Sequence, residues 1–312
     1  MQTRSLGRTG LEISVVGFGA WAIGGGGWEW GWGPQDDADS IAAIRKALEL
    51  GVNWIDTAPV YGFGRSEEVV GRALRQMSEK PYVFTKCGLE GKDGASASEL
   101  KAATIKRQCE DSLRRLGVEA IDLYQIHQPS PDEDIEEGWE ACAALLSAGK
   151  VRHIGVSNFS VSQLERIGVL AAVESLQPPY SLISRDIEKE ILPYCAREEI
   201  GVIAYSPMAS GLLTGKFSAE RVAALPEDDF RSHSSQFQEP ELSGNLAAAD
   251  RLREVGERHG ASPGATAVAW TLRGPVVTGA IVGFRRAGQV DGILPAAAEL
   301  ALSAEEISFV EG

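Results

Sequence analysis

The sequence predicts an α/β fold of the (β/α)8, or TIM-barrel, type, and three observations carry that prediction. Short runs rich in Val, Ile and Tyr alternate with longer segments of helical periodicity almost to the end of the chain, which is the pattern of a βα repeat. The runs number eight, and 312 residues suit one such barrel with its loops. The turn after the first run reads Gly24-Gly25-Gly26-Gly27, without the G-x-G-x-x-G and following helix of an open dinucleotide-binding sheet.

The elements follow in order. Residues 1–14 hold Gly7-Arg8-Thr9-Gly10 between two β-prone pieces and read as a hairpin that closes the N-terminal end of the barrel. Strands are expected at 15–18, 52–56, 82–86, 121–126, 151–156, 174–176, 202–205 and 279–282. Helices are expected at 37–50, 67–76, 99–115, 134–147, 161–170, 187–198 and 244–272. The last span breaks at Ala261-Ser262-Pro263, where Ser262 suits an N-cap and Pro263 the first helical turn. Residues 209–242 are the longest stretch without an element, and loops of that length serve as lids or binding loops. No linker or short-period repeat interrupts the chain, so residues 1–312 read as one domain.

Composition narrows the function classes. With 44% hydrophobic and 24% charged residues the chain is an ordinary globular protein. Thirty Lys and Arg against 44 Asp and Glu give a formal charge of −14, which repels nucleic acid and anionic bilayers. A phosphorylated ligand would therefore need a local basic cluster. The first residues lead into no signal-peptide pattern and no run approaches a membrane span, so a cytoplasmic setting is expected. Cys87, Cys109, Cys142 and Cys195 lie far apart without metal-ligand spacing and read as reduced, structural thiols. Only Cys87 stands out, because Lys86 beside it can favour a thiolate.

In such a barrel, chemistry is built at the C-terminal ends of the strands. Here the second strand ends in Asp56, the third in Lys86, the fourth in His127, the fifth in Ser157-Asn158, the sixth in Gln177 and the seventh in Tyr205-Ser206. Tyr61 lies five residues past Asp56, within reach of the same mouth. A Tyr with a pKa of about 10 is a poor acid–base catalyst until a cation favours its phenolate. Lys86 can be that cation, Asp56 can keep it charged, and His127 can hydrogen-bond a reacting oxygen or share its proton. A strand-end Lys also suits Schiff-base chemistry, but a lysine paired with Asp56 stays protonated, which argues against it. The first βα loop carries Trp21, Trp28, Trp30 and Trp32 among glycines, an aromatic wall for an apolar or sugar-like carbonyl compound or, equally, packing for the barrel mouth.

The stretches Asp56-Thr57-Ala58-Pro59-Val60-Tyr61-Gly62, Thr85-Lys86, Gln125-Ile126-His127, Gly155-Val156-Ser157-Asn158-Phe159, Tyr205-Ser206-Pro207 and Gly211-Leu212-Leu213-Thr214-Gly215-Lys216 resemble the aldo-keto reductase family. The likeness runs in order over nearly the whole chain, within a bacterial branch related to the channel β-subunit-like and inositol-operon-type members. It implies an NADPH-preferring enzyme acting on a small-molecule carbonyl, with Asp56, Tyr61, Lys86 and His127 as its catalytic tetrad. It also implies Ser157, Asn158 and Gln177 on the nicotinamide carboxamide, with Tyr205 stacked on the ring. Ser206, Gly211, Leu212, Gly215 and Lys216 would cradle the diphosphate. Gly283, Arg285 and Gln289 fall in the adenosine-binding segment, and a guanidinium at Arg285 suits a 2′-phosphate. Gly292-Ile293 replaces the acid–amide pair that many relatives place on adenine, so NADH is expected as a second, less preferred cofactor. The alternative is a slow-turnover NADPH-binding regulatory protein on the same fold, like the channel-associated members, which the intact tetrad disfavours.

Overall fold

The computed structural model describes residues 1–312 other than Asp93, Gly94 and Asp228. Strands β1 (Thr3–Ser5) and β2 (Glu12–Ser14) form the expected antiparallel hairpin, with Arg4 opposite Ile13. The chain then enters the barrel through β3 (Val16–Gly19), β4 (Trp54–Asp56) and β5 (Tyr82–Cys87). A second hairpin, β6 (Leu89–Lys92) and β7 (Ala95–Ser98), stands on the rim. The barrel continues with β8 (Ile121–Ile126), β9 (Val151–Ser157), β10 (Ser175–Gln177), β11 (Gly201–Ala204) and β12 (Val277–Gly283). These eight parallel strands close as β3-β4-β5-β8-β9-β10-β11-β12, with β12 back on β3.

Helices α1 (Asp37–Glu49), α2 (Arg65–Leu74), α3 (Ala102–Leu116), α4 (Ile135–Ser147), α5 (Val161–Gly168) and α6 (Ile191–Arg197) follow successive strands. In α3 the buried residues Ile105, Cys109, Leu113 and Leu116 recur at helical spacing and pack on the outer face of the barrel. Gly117 ends that helix at φ 69°, a conformation glycine adopts without strain. The expected helix 187–198 is instead a short 3-10 turn at Asp186–Glu188 and then α6. Pro193 explains the change, because it fits the first turn of a helix beginning at Ile191 but not the interior of one beginning at 187.

The span 244–272 divides as expected into α8 (Glu241–Arg258) and α9 (Pro263–Thr271), with the Ser262 hydroxyl accepting from the Ala265 amide. Before them, the described residues of 209–240 hold 3-10 turns and a short helix, α7 (Ala219–Ala223), and the last two positions of the expected 209–242 loop already belong to α8. Helices α10 (Ala287–Asp291), α11 (Leu294–Ala297) and α12 (Ala304–Glu311) close the chain.

The barrel interior is layered. Leu6 and Ile13 from the hairpin plug the N-terminal end beneath Trp54, Phe84, Leu123, Ile203 and Ile281. Gly17 leaves the space that Trp54 fills, since a Cβ there would lie 2.2 Å from the indole. Two residues farther along the strands, the inward positions become polar and buried: Asp56, Lys86, Gln125, Ser157 and Gln177. That change from apolar to polar positions the site. Among the described residues no helix is long and apolar enough to cross a membrane.

Candidate active site

Lys86 occupies the centre of the polar layer. Its ammonium donates to Asp56 Oδ1 at 2.5 Å, to the Thr57 carbonyl at 3.0 Å and to Tyr61 Oη at 3.2 Å, so each of its three N–H groups has a partner. The second carboxylate oxygen, Asp56 Oδ2, accepts from Gln177 Nε2 at 2.8 Å and, more distantly, from Gln125 Nε2 at 3.4 Å.

The loop after β4 delivers Tyr61 to this ammonium. Thr57 and Ser66 are hydrogen-bonded through their hydroxyls at 2.8 Å, and Ser66 donates to the Ala20 carbonyl, which ties the loop to the end of β3. Gly62, at φ 61°, lies against the first βα loop so closely that a Cβ would fall 2.1 Å from the Gly24 carbonyl oxygen. The Tyr61-Gly62 step therefore fixes two active-site loops against each other.

Burial dominates the Tyr61 phenol and holds its pKa above the ordinary value; Lys86 pulls the other way and Asp56 adds to the rise. Lys86 thus favours the phenolate as expected, but burial, with Asp56, outweighs it in the protein alone, and Tyr61 keeps its proton. For Lys86, burial opposes the charge, but Asp56 and Tyr61 outweigh it and raise the pKa. His127 stands edge-on to Tyr61, with ring centroids 5.7 Å apart. Burial, assisted by Lys86, pushes its pKa well below the usual imidazole range, which makes it a neutral hydrogen-bonding group rather than a proton source. Its buried Nδ1 has no hydrogen-bond partner among the described residues.

The other wall of the mouth is a chain of amides and hydroxyls. Ser157 Oγ donates to the Gln177 carbonyl at 2.7 Å. Asn158, in a left-handed conformation at φ 67°, donates to the His127 carbonyl and to Ser157 Oγ, and its Oδ1 accepts from the Tyr205 hydroxyl at 2.9 Å. That bond sets the plane of the Tyr205 ring at the cavity. Ser206, Ala209 and Ser210 are also left-handed and lie beside Gly211, a concentration of backbone strain of the kind found at ligand sites.

One cavity of about 520 Å³ joins these groups, running from the tryptophan loop past Tyr61 and Tyr205 to Arg285 and Gln289. Trp21, Trp28, Trp30 and Trp32 all line it. They also pack together: Trp21 and Trp32 lie 5.8 Å apart, and Trp28 is 6.1 Å from Tyr61. The four tryptophans therefore both pack the barrel mouth and line its cavity. The sequence did not point to Phe230 in the long 209–242 segment, which meets Trp21, Trp30 and Trp32 at centroid distances of 5.2, 6.2 and 5.8 Å. Nor did it point to Leu89, Ser96 and Ser98 of the rim hairpin, or to Gln128, which complete this end of the cavity. The Ala-Ser alternation of 95–98 carries no β-branched or aromatic signal for a strand.

Not every expected contact is brought to the cavity. Leu212 is fully buried in the core, Gly215 packs under Arg253 and Pro263, and Lys216 is exposed, its carbonyl accepting from Arg221. The 3-10 turn Ala209–Thr214 carries the chain away from the cavity after Gly211, so Ser206 and Gly211 line it and these three residues do not. The Arg285 guanidinium reaches the cavity but is held by the first loop: it donates to Gln35 Oε1 at 2.6 Å, to the Trp32 carbonyl at 3.0 Å and to the Pro34 carbonyl. Burial and the neighbouring cations Arg231 and Arg286 lower its pKa, which identifies the local basic cluster that an acidic surface requires. Gln289 Oε1 accepts from the amides of Arg285 and Arg286 and caps α10. Cys87 is buried, 4.0 Å from Cys142, and burial drives its pKa well up, against the thiolate that Lys86 suggested.

This donor set fits a nicotinamide dinucleotide. An amide and hydroxyl cluster suits a carboxamide, the fixed Tyr205 ring suits a flat heterocycle, and the cations lie at the far end, where a phosphate would be held.

Residues 16–312 match the Aldo/keto reductase family. Aldo-keto reductase YhdN of Bacillus subtilis (strain 168) is 40% identical over 296 residues, covering 94% of this chain and 88% of that protein. Probable aldo-keto reductase 1 of Glycine max is 33% identical over 276 residues, covering 88% of this chain and 78% of that one. Among solved structures, the glycerol dehydrogenase AKR11B4 from Gluconobacter oxydans superposes with a TM-score of 0.89 at 41% identity, over 99% of this chain and 94% of that one. The holo form of aldo-keto reductase AKR11C1 from Bacillus halodurans gives 0.80 at 27% identity, over 100% and 95%.

Proposed function

The chain belongs to the aldo/keto reductase family of oxidoreductases, and from that premise we propose that it reduces aldehydes or ketones to alcohols with NADPH, Tyr61 being the general acid. The observation that carries this reading is the buried Asp56–Lys86–Tyr61 chain, with Lys86 Nζ 2.5 Å from the carboxylate and 3.2 Å from the phenol. NADPH, when bound, supplies the hydride. Tyr61 gives its proton to the carbonyl oxygen as charge develops there, and the Lys86 ammonium stabilises the phenolate left behind. Asp56 keeps the buried Lys86 charged. His127, neutral, orients the carbonyl oxygen by a hydrogen bond.

Ser157, Asn158 and Gln177 would hold the carboxamide and Tyr205 the ring, which presents one face to the substrate and makes the transfer effectively unimolecular. Arg285, with Arg231 and Arg286 close by, favours the extra phosphate of NADPH over NADH.

For the substrate, the tryptophan wall suits the C–H faces of a small hydroxylated aldehyde, while Ser96, Ser98 and Gln128 offer hydrogen bonds to its hydroxyls. The similar AKR11B4 of Gluconobacter oxydans is a glycerol dehydrogenase, which agrees with that chemistry. The test is NADPH oxidation against a panel of short hydroxyaldehydes, unsubstituted aliphatic aldehydes and ketones. Turnover that favours the hydroxyaldehydes is expected; inactivity across the panel would replace catalysis by a binding role.

A further inference from the structure

The polar layer of the barrel contains one residue that the reduction chemistry leaves without a task. Gln125 on β8 is fully buried and, two residues before His127, points into the barrel level with Asp56, Lys86 and Gln177. An amide in a barrel interior is costly unless its donors and acceptor are matched, and an apolar side chain of similar size would avoid that cost. Here both ends are used. Gln125 Oε1 accepts from Gln177 Nε2 at 3.2 Å, and Gln125 Nε2 faces Asp56 Oδ2 at 3.4 Å.

Gln177 is consequently constrained at both of its N–H groups. One points to Asp56 Oδ2 at 2.8 Å and the other to Gln125 Oε1. A carboxylate accepts only, which fixes the amide's orientation: the NH2 group faces inward and the carbonyl oxygen is the part left for a ligand. Gln177 lines the cavity. We propose that Gln125 is a positioning residue that locks the Gln177 amide, so that the inner end of the cavity presents an acceptor and selects a ligand bearing an N–H donor. A primary carboxamide has that donor. Without Gln125 the second N–H of Gln177 would be buried without an acceptor, and rotamers that turn it towards the cavity would gain population. The lock would then lose its preference for a donor.

This inference rests on the reading that the cavity takes a nicotinamide nucleotide, and binding separates the two. Dissociation constants are measured by quenching of tryptophan fluorescence and by calorimetry for three ligands: NADP⁺, its 3-acetylpyridine analogue, which lacks the carboxamide N–H, and 2′-phospho-ADP-ribose, which lacks the nicotinamide. In the parent protein NADP⁺ binds about tenfold or more tighter than the acetylpyridine analogue. Gln125→Met removes most of that difference by weakening NADP⁺, while 2′-phospho-ADP-ribose stays within about twofold. Adding Gln125→Met to Gln177→Met changes NADP⁺ affinity no further, because the residue acts through Gln177.

Equal weakening of all three ligands, or an unchanged preference for the carboxamide, overturns the role of Gln125. Failure of the parent protein to bind NADP⁺ at all overturns the cofactor reading instead. If Gln125→Met does not fold, Gln125→Asn, which draws the acceptor back by one methylene, carries the same expectation with a smaller loss.

Discussion

Lys86 and Asp56 face each other at 2.5 Å with side chains only 0% and 3% exposed, so the charge that serves Tyr61 is compensated almost entirely by one carboxylate. Removing one member of such a pair leaves an uncompensated buried charge, at a cost of about 3–5 kcal/mol. Asp56→Asn is therefore expected to lose stability on that scale in chemical denaturation, and Asp56→Asn with Lys86→Met to recover much of it. Additive losses would show that the pair is not the unit that matters.

Tyr61→Phe removes the proposed acid but leaves the ring that packs beside Trp28 and against His127. The expected loss in kcat is roughly 10²-fold or more, the range of general acid catalysis. Because Tyr61 stands at the tryptophan end of the cavity, beside Trp21 and Trp28, quenching of tryptophan fluorescence by NADPH should persist. A variant with parental kcat would require another proton donor.

The pH dependence of reduction follows from two opposite shifts. In the proposed reduction Tyr61 must carry its proton, and its pKa is raised, so the acid form is present across neutral pH and is lost only as the pH climbs past the ordinary phenol value of about 10. His127 is depressed well below about 6.5 and stays neutral throughout. A plot of kcat/KM against pH should therefore be flat from about 6 to 9. An inflection near 6.5 that His127→Gln abolishes would contradict the neutral assignment.

Arg285 links two regions 250 positions apart, since its guanidinium donates to Gln35 and Gln35 Nε2 donates back to the Arg285 carbonyl at 2.8 Å. Arg285→Ala should raise KM for NADPH by about tenfold or more and leave KM for NADH nearly unchanged. It should also speed amide hydrogen exchange around Trp32 and Gln35, whose loop loses its anchor. Equal effects on both cofactors would remove Arg285 from the 2′-phosphate site.

These relationships explain why part of the site was legible before the structure and part was not. Asp56, Lys86, His127, Ser157 and Gln177 sit at or next to successive strand ends, and a closed parallel barrel converges such ends whatever the loops do. Tyr61 came with Asp56 because only a short loop separates them. The pairing of Gln125 with Gln177, and of Phe230 with three tryptophans, depends on neighbours supplied by distant strands and loops, for which a single chain has no local signal. Leu212, Gly215 and Lys216 show the converse. Their motif is local, but a 3-10 turn decides which side of it meets the cavity.

Away from the cavity, Glu188 anchors the C-terminal helix region and should govern acid stability. It accepts from Arg185 and from Arg273, each at 2.7–2.9 Å, and from the Tyr180 hydroxyl at 2.6 Å, while Arg185 and Trp270 also reach Glu311 on α12. Burial alone would raise the Glu188 pKa, but hydrogen bonds from Arg185, Tyr180 and Arg273 outweigh it and bring it to about 2. Since the unfolded value is about 4.3, the stability this carboxylate contributes is complete above that pH and drains away as the pH falls through about 2. Glu188→Gln should therefore lower Tm at neutral pH and flatten the decline of Tm between about pH 4 and 2. If the parent and variant curves stay parallel through that window, the acid lability lies in another carboxylate.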